Sequence, residues 1–596
     1  MHDRTGAMRL HTIAMAVACA LGAAGAAQAG EIQTGNPDIE LRWDNTVRYN
    51  LGTRVNRQNK SGIGNNPAFD EGEFSFKRGG IVANRLDVLS EMDVVFNKKA
   101  GFRASAALWY DNAYSDGTVN RNPAISTAAQ KVGSSIDDRF SNYTKRYYEG
   151  PSAELMDAFA FASFDVADMP LSVKAGRHTV FWGESLLLGG ALHGVSYSQM
   201  PIDLAKGFAT PGADAKELFR PLTNVSGQLQ VSNTLSLAAQ YFFDWESFRY
   251  PESGTFLGPA DFAFNGADQV QSAAGILPNF RVQQPKKRGD FGLAARWSPE
   301  ALDGTVGFYY RNYTDKLLAL SITSGATSTA ANPLGLQYGQ FYGEDIDLFG
   351  ISLAKNIGGI SVSTELSYRH NTTLNGQTLG FTPGALKGPL AALSPALFPR
   401  GAAATTLIGN SYQARGNTWH LVANALGVLA GNALFDSASY AAELTYSRLA
   451  KVTANEDMYF GEGYGVCNEK AKAVGQYKDK WDGCSTKDAL GLALNFTPTW
   501  FQVLPGMDLS MPFSISRTMH GNSPVALGGN EGNGNYSFGF SADVQQKYKI
   551  ELKYVDFFGH VKTGVVAGLP AVTAANGLST LLKDRGHLML TLKTTF

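Results

Sequence analysis

The feature that most limits what this chain can fold into is a rhythm. From Ile39 to the C-terminus, segments with apolar residues at every second position recur, and the links between them are alternately short and long. A strand turns successive side chains to opposite faces, so a two-residue period marks strands with one apolar and one polar face. In the first segment Leu41, Trp43, Val47, Tyr49 and Leu51 share a face, interrupted only by Asn45. Arg42, Asp44, Thr46, Arg48 and Asn50 share the other. Eighteen such segments lie near 39–51, 82–97, 101–111, 154–166, 170–177, 224–231, 235–245, 290–297, 304–312, 345–354, 359–369, 416–428, 434–446, 487–495, 507–516, 535–544, 547–557 and 587–596. Eight links are short, such as Ser232-Asn233-Thr234 and Gln545-Gln546, and nine are long. Most long links run to about 30–45 residues, which compact soluble domains seldom tolerate.

Short turns on one rim and long loops on the other fit a transmembrane barrel with both chain ends on the short-turn side. Segments of about 10 residues suit a tilted strand crossing a bilayer, and lipid leaves no partner for an open sheet edge, so the sheet has to close. The predicted fold is therefore all-β: an antiparallel β-barrel of about eighteen strands, with sixteen as the next count. The chain ends on Phe596 behind alternating Leu588, Leu590 and Leu592, a pattern similar to the C-terminal signal of bacterial outer-membrane proteins. Trp43, Tyr49, Phe102, Tyr110, Tyr368 and Tyr554 fall near segment ends, where interfacial girdles sit.

Composition agrees. The 596 residues would suggest several soluble domains by length alone. Yet Gly numbers 65 and charged residues make up only 17%, against about 25% in ordinary domains. The net charge of -1 points to no nucleic-acid partner. Arg4 and Arg9 precede an apolar stretch from Thr12 to Ala27, and Ala27-Gln28-Ala29 gives a small-x-small cleavage pattern. Residues 1–29 thus read as a cleaved signal peptide that discards Cys19, and residues 30–596 as a single barrel domain. No later apolar run is long enough for a transmembrane helix. The expected location is the bacterial outer membrane, in contact with its lipids.

Charges on the polar faces of the first segments, Arg42, Asp44, Arg48, Arg85, Asp87, Glu91, Asp93 and Arg103, are expected to line the lumen. Opposite charges there can pair across strands, bracing the wall, shaping a polar path or holding an inserted loop. Cys467 and Cys484 share one long loop in an oxidising compartment and are expected to form a disulfide. No local motif for nucleophilic catalysis, phosphate binding or a metal is present, so no catalytic residue, cofactor or metal is assigned. A barrel lipase assembled from separate strands is the remaining enzymatic alternative.

The third long link departs from the others. Residues 178–223 are too apolar for a surface loop and too broken by Gly and Pro for a helix. The sequence predicts that this segment folds into the lumen, where Leu186, Leu187 and Leu188 escape water and Arg177, Trp182, Glu184, Asp203 and Glu217 dock or constrict. An outer lid held by its own contacts is the alternative. Gly176-Arg177, Trp182-Gly183-Glu184-Ser185, Pro201-Ile202-Asp203, Pro211-Gly212-Ala213 and Lys216-Glu217 together resemble a proteobacterial outer-membrane family known as DUF1302. His178 departs from it, standing where glutamine is expected. The resemblance implies a porin-like barrel and partnership with an outer-membrane lipoprotein and an inner-membrane permease. It also implies movement of small hydrophobic molecules or lipids across the envelope. The competing readings are a general diffusion porin and an envelope-assembly protein working with a lipoprotein.

Overall fold

The computed structural model describes residues 30–125, 137–210, 215–272, 275–279, 285–324, 328–333, 335–376, 380–381, 413–475 and 477–596. The expected signal peptide lies outside the described residues, as do Pro211, Gly212 and Ala213 of the family motif. The first barrel strands are β1 (Ile39–Arg54), β2 (Ile81–Phe96), β3 (Ala100–Asp111), β4 (Ser152–Val166), β5 (Met169–His178) and β6 (Leu222–Ser232). Then come β7 (Leu235–Phe242), β8 (Phe291–Trp297), β9 (Gly304–Tyr313), β10 (Ile346–Ile357), β11 (Ile360–Thr373) and β12 (Arg415–Ala430). The circuit ends with β13 (Ser437–Ala454), β14 (Asp488–Leu504), β15 (Met507–His520), β16 (Gly534–Val544), β17 (Tyr548–Phe558) and β18 (His587–Thr595).

Each strand pairs antiparallel with the next, and β18 pairs with β1 from Thr46↔Thr595 to Arg54↔His587, which closes the barrel. The closure reaches the last residue: Asn45 and Phe596 exchange backbone hydrogen bonds of 2.7 and 2.9 Å. Twenty hydrogen-bonded pieces make eighteen staves. Gly30–Ile32 merely lies along the edge of β1, and β15 is broken at Met511-Pro512, where proline has no N–H for the ladder. Every predicted segment falls on one of these strands.

The register sets the two faces. Leu155, Leu293, Phe349, Phe538, Phe540 and Ile550 point outward and are exposed on the barrel's exterior, the apolar band that a bilayer requires. Arg48, Arg85, Asp87, Glu91 and Arg103 point into the lumen with the other charges of their strand faces. The Cys467–Cys484 disulfide forms in the loop after β13, packed with Val466. Leu293 is 54% exposed at the centre of β8, beside Tyr310 and Ala239. Leu293→Arg is expected to destabilise the barrel in phospholipid vesicles by about 2–4 kcal/mol. Guanidinium unfolding titrations of variant and wild type measure this.

Candidate functional site

The segment between β5 and β6 runs through the lumen and is held by two opposite arcs of wall. It contains short helices α1 (Leu188–His193), α2 (Leu204–Ala209) and α3 (Ala215–Leu218). Its first half meets β9 to β13. There the carboxylate of Glu443 accepts hydrogen bonds from the backbone N–H groups of Leu186, Leu187 and Gly190 at 2.7, 3.2 and 2.8 Å. Glu365 accepts from the N–H groups of Glu184 and Val195 at 3.0 and 3.3 Å. Carbonyls are taken up in the same way. Arg311 donates to Val195 and Tyr197, both at 2.7 Å. Arg369 donates to Leu192 and Gly194 at 3.0 and 3.2 Å, and Asn424 to Glu184 at 2.6 Å. A tightly turned backbone has unpaired N–H and C=O groups that cost heavily when buried; here the carboxyl, guanidinium and amide side chains of the wall supply their partners.

This docking explains two glycines of the segment, Gly183 of the motif and Gly190. A Cβ on Gly190 would lie 2.4 Å from a Glu443 oxygen. Gly183 has φ +93°, and a Cβ there would meet Glu365 at 2.4 Å. Only glycine lets the two wall carboxylates reach the backbone at these points.

The second half meets β1 to β3 through side-chain charge. Arg48 grips Glu217 with two hydrogen bonds of 2.7 Å, and Lys206 adds a third contact at 2.6 Å. Lys206 also faces Asp87, which pairs with Arg85 at 2.9 Å. Lys216 pairs with Glu91, which shares Arg103 with Asp93 and Asp157. Burial by itself would raise the Glu217 carboxyl. The Arg48 hydrogen bonds and the Lys206 charge outweigh it and hold the group well below the usual carboxylate range. Between the two arcs, Val180, Trp182, Leu192, Val195, Tyr197, Met200, Ile202 and Leu204 form one buried cluster with wall residues Leu222, Phe242, Tyr309, Tyr313 and Leu348.

The predicted site residues separate into groups. Trp182 packs into that cluster and Glu217 docks on the wall; the Glu184 side chain only approaches Ser352, at 3.4 Å. Arg177 does not enter the lumen. By register it shares the outward face of β5 with Ala175, and it pairs with Glu246 at 3.1 Å. Asp203 caps α2 through the Lys206 N–H at 2.8 Å and meets Arg249 of the next long loop at 3.2 Å, not the wall. Arg42 and Asp44 pair with each other at 2.6 Å. The expectation that the triple leucine is buried fails: Leu186 is 42% and Leu188 41% exposed. Glu443 takes up the N–H groups of Leu186, Leu187 and Gly190, while the Leu186 and Leu188 side chains stay exposed. Two steps along the same face from Asn424, Leu426 and Val428 are also exposed, at 40% and 70%.

Glu365, Glu443, Arg311, Arg369 and Asn424 were missed by the sequence reading. Each occupies a lumen-face position of its strand, and that face assignment is the signal the sequence offers.

A pair of imidazoles joins the segment to the wall. His193 and His420 are buried with Nδ1 atoms 2.9 Å apart. His193 Nε2 lies 2.9 Å from the Gly528 carbonyl, so it must donate there. Its Nδ1 then accepts from His420, whose Nε2 accepts from the Thr418 hydroxyl at 2.8 Å. The chain is complete with both rings neutral. Burial first, and then the nearby Arg369, push His193 down to about 4 against the Gly528 contact. A folded-state value below the unfolded 6.5 means that the unfolded chain binds more protons at intermediate pH. The stability from this pair is therefore full above about pH 6.5 and is lost as pH falls toward 4, by on the order of a few kcal/mol. His193→Gln should flatten this part of the pH profile of thermal unfolding. Arg48→Ala, which removes two guanidinium hydrogen bonds from the buried Glu217, should destabilise by about 3 kcal/mol, read by protease cleavage within residues 204–218.

Several solved outer-membrane structures are similar to this chain in strand layout. OccD3 (OpdP) of Pseudomonas aeruginosa is 12% identical over 95% of this chain and 92% of its own, with a TM-score of 0.36. A BenF-like porin from Pseudomonas fluorescens Pf-5 is 9% identical over 93% and 98%, with a TM-score of 0.38. OccAB3 of Acinetobacter baumannii is 7% identical over 93% and 99%, with a TM-score of 0.37. No curated protein matches the sequence. The family described as "Protein of unknown function (DUF1302)" matches residues 10–596, and with nearly the whole length covered the chain belongs to it.

Proposed function

We propose that the protein is an outer-membrane channel for small hydrophobic molecules, and that the segment between β5 and β6 is its constriction. The closed barrel and its apolar exterior support the location: lipid outside, a lumen inside, the long loops outward and the short turns toward the periplasm. Eighteen strands enclose a lumen wide enough to conduct water unless filled, and the docked segment fills its outer part. The observation that carries the hydrophobic substrate is the exposure of four apolar side chains, Leu186 and Leu188 on the docked segment and Leu426 and Val428 on the lumen face of β12. Apolar area left in water costs about 25 cal/mol per Å², so a molecule that covers them recovers that free energy.

Two measurements test this reading. Deleting residues 183–212 is expected to raise single-channel conductance in planar bilayers several-fold; equal conductance would reject the constriction. Replacing Leu186 and Leu188 by serine is expected to slow entry of a neutral apolar dye into proteoliposomes while ion conductance stays unchanged. Equal slowing of both would favour a general diffusion porin.

A further inference from the structure

On the long-loop side of the docked segment, five outer loops converge on one cavity of about 130 Å³. Its walls are mainly apolar, with Phe264, Leu317, Leu320, Leu374, Leu527 and Leu578 among them. A cavity of similar size lined by aliphatic and aromatic side chains stays dry and takes up benzene. Size and lining thus match a single carbocyclic ring.

A second, independent observation falls on the same walls. Among the described residues, left-handed backbone outside glycine is carried mostly by Asn, Asp, Gln and other small or polar residues. Phe264 at φ 70° and Leu527 at φ 58° are the two large apolar ones, and both line this cavity. Bulky side chains in that conformation are strained and persist only where the surroundings enforce it; such strain gathers at ligand sites. Here the surroundings are visible. The Phe264 ring stacks on Tyr250 at 4.3 Å, and the Tyr250 hydroxyl accepts from the Leu318 N–H at 3.1 Å. The strained backbone fixes Phe264 as one wall of the cavity.

The polar groups at the edge are already engaged. Asp315 accepts from the Tyr197 and Ser198 hydroxyls at 2.7 and 3.1 Å, and from the Leu317 N–H. Asn375 donates to Ser485 and Gln413 donates to the Leu320 carbonyl. Among the described residues no lysine or arginine lines the cavity. An aromatic acid would bring a second carboxylate beside Asp315, whose charge already faces Lys316 and Arg415, and no lysine or arginine among the described residues of the cavity wall would pair with it, which is costly out of water.

We propose that this cavity is an outer binding site for a neutral, single-ring hydrocarbon, or for the ring of a larger apolar molecule, and that it excludes the corresponding carboxylates. The proposal rests on the channel reading for its physiological meaning, as the station a molecule occupies before the constriction. Occupancy itself is an equilibrium property of the folded chain and needs no passage.

The test is 19F NMR of fluorobenzene titrated into the purified full-length protein in detergent. Partition into micelles grows linearly, whereas the site saturates at one equivalent. The expected result is saturable binding by the wild type, weakened at least tenfold in Ala526→Phe, whose ring enters the cavity. 4-Fluorobenzoate should bind at least tenfold more weakly than fluorobenzene. Leu578→Ala enlarges the space and should gain saturable binding of 1-fluoronaphthalene, an independent readout should the phenylalanine disturb its loop. No saturable fluorobenzene signal in the wild type, or affinities unchanged in both variants, overturns the site. Dye entry into proteoliposomes separates the two readings. Saturable binding without entry sinks the channel and keeps the site, while entry without saturable binding does the reverse.

Discussion

Lipid offers a peptide group no hydrogen-bond partner, and every other feature of this protein follows from that. Each of the eighteen strands has to be paired on both edges, so the first strand must find the last. That pairing is made across the whole length of the chain, down to Asn45 and Phe596. Closure then creates a second problem. A ring of this many strands encloses more space than its own inward side chains can fill. The chain spends its third long loop on that space.

Filling a lumen from one loop sets a polar problem inside an apolar one. The turned backbone from Gly183 to Tyr197 has to bring its amides and carbonyls away from water. It does so by meeting polar side chains planted on the wall: Glu365 and Glu443 for N–H groups, Arg311 and Arg369 for carbonyls. These groups would themselves be costly to bury unpaired, and the backbone groups are their compensation. Wall and loop are therefore mutually dependent. The far arc works differently, with side-chain pairs such as Arg48 and Glu217 that stay ionised because each partner holds the other.

How much of this could be read beforehand follows the range of the forces. The alternation along each strand is local, because every second side chain must face lipid, and so all the strands were legible. The disulfide was legible because both cysteines sit in one loop. The loop's destination showed in its own composition of Trp182, three leucines and close-set glycines. Its partners did not show. Glu443 lies more than 250 positions from Leu186, and what brings them together is the depth and stagger of distant strands, which no local pattern records. The same blindness misplaced Arg177 and Asp203, whose partners Glu246 and Arg249 lie in a neighbouring loop. It also missed that Leu186 and Leu188 stay exposed: the docking uses the backbone of Leu186, Leu187 and Gly190, and a sequence shows side chains.

The apolar surfaces left over are not scattered. One lies above the docked segment, where Asp315 ties the rim of the outer cavity to Tyr197 and Ser198. The other comprises Leu426 and Val428 on the lumen face of β12, with Leu186 and Leu188 on the segment. The first half of the segment, from Gly183 to Ser198, is held by hydrogen bonds to its backbone and by the buried cluster around Trp182 and Val195, whereas Lys206, Lys216 and Glu217 are clamped by ion pairs on the opposite arc. The two halves are thus held by different forces: substitution of a wall side chain leaves buried backbone groups without partners in the first half, and a buried charge without its partner in the second.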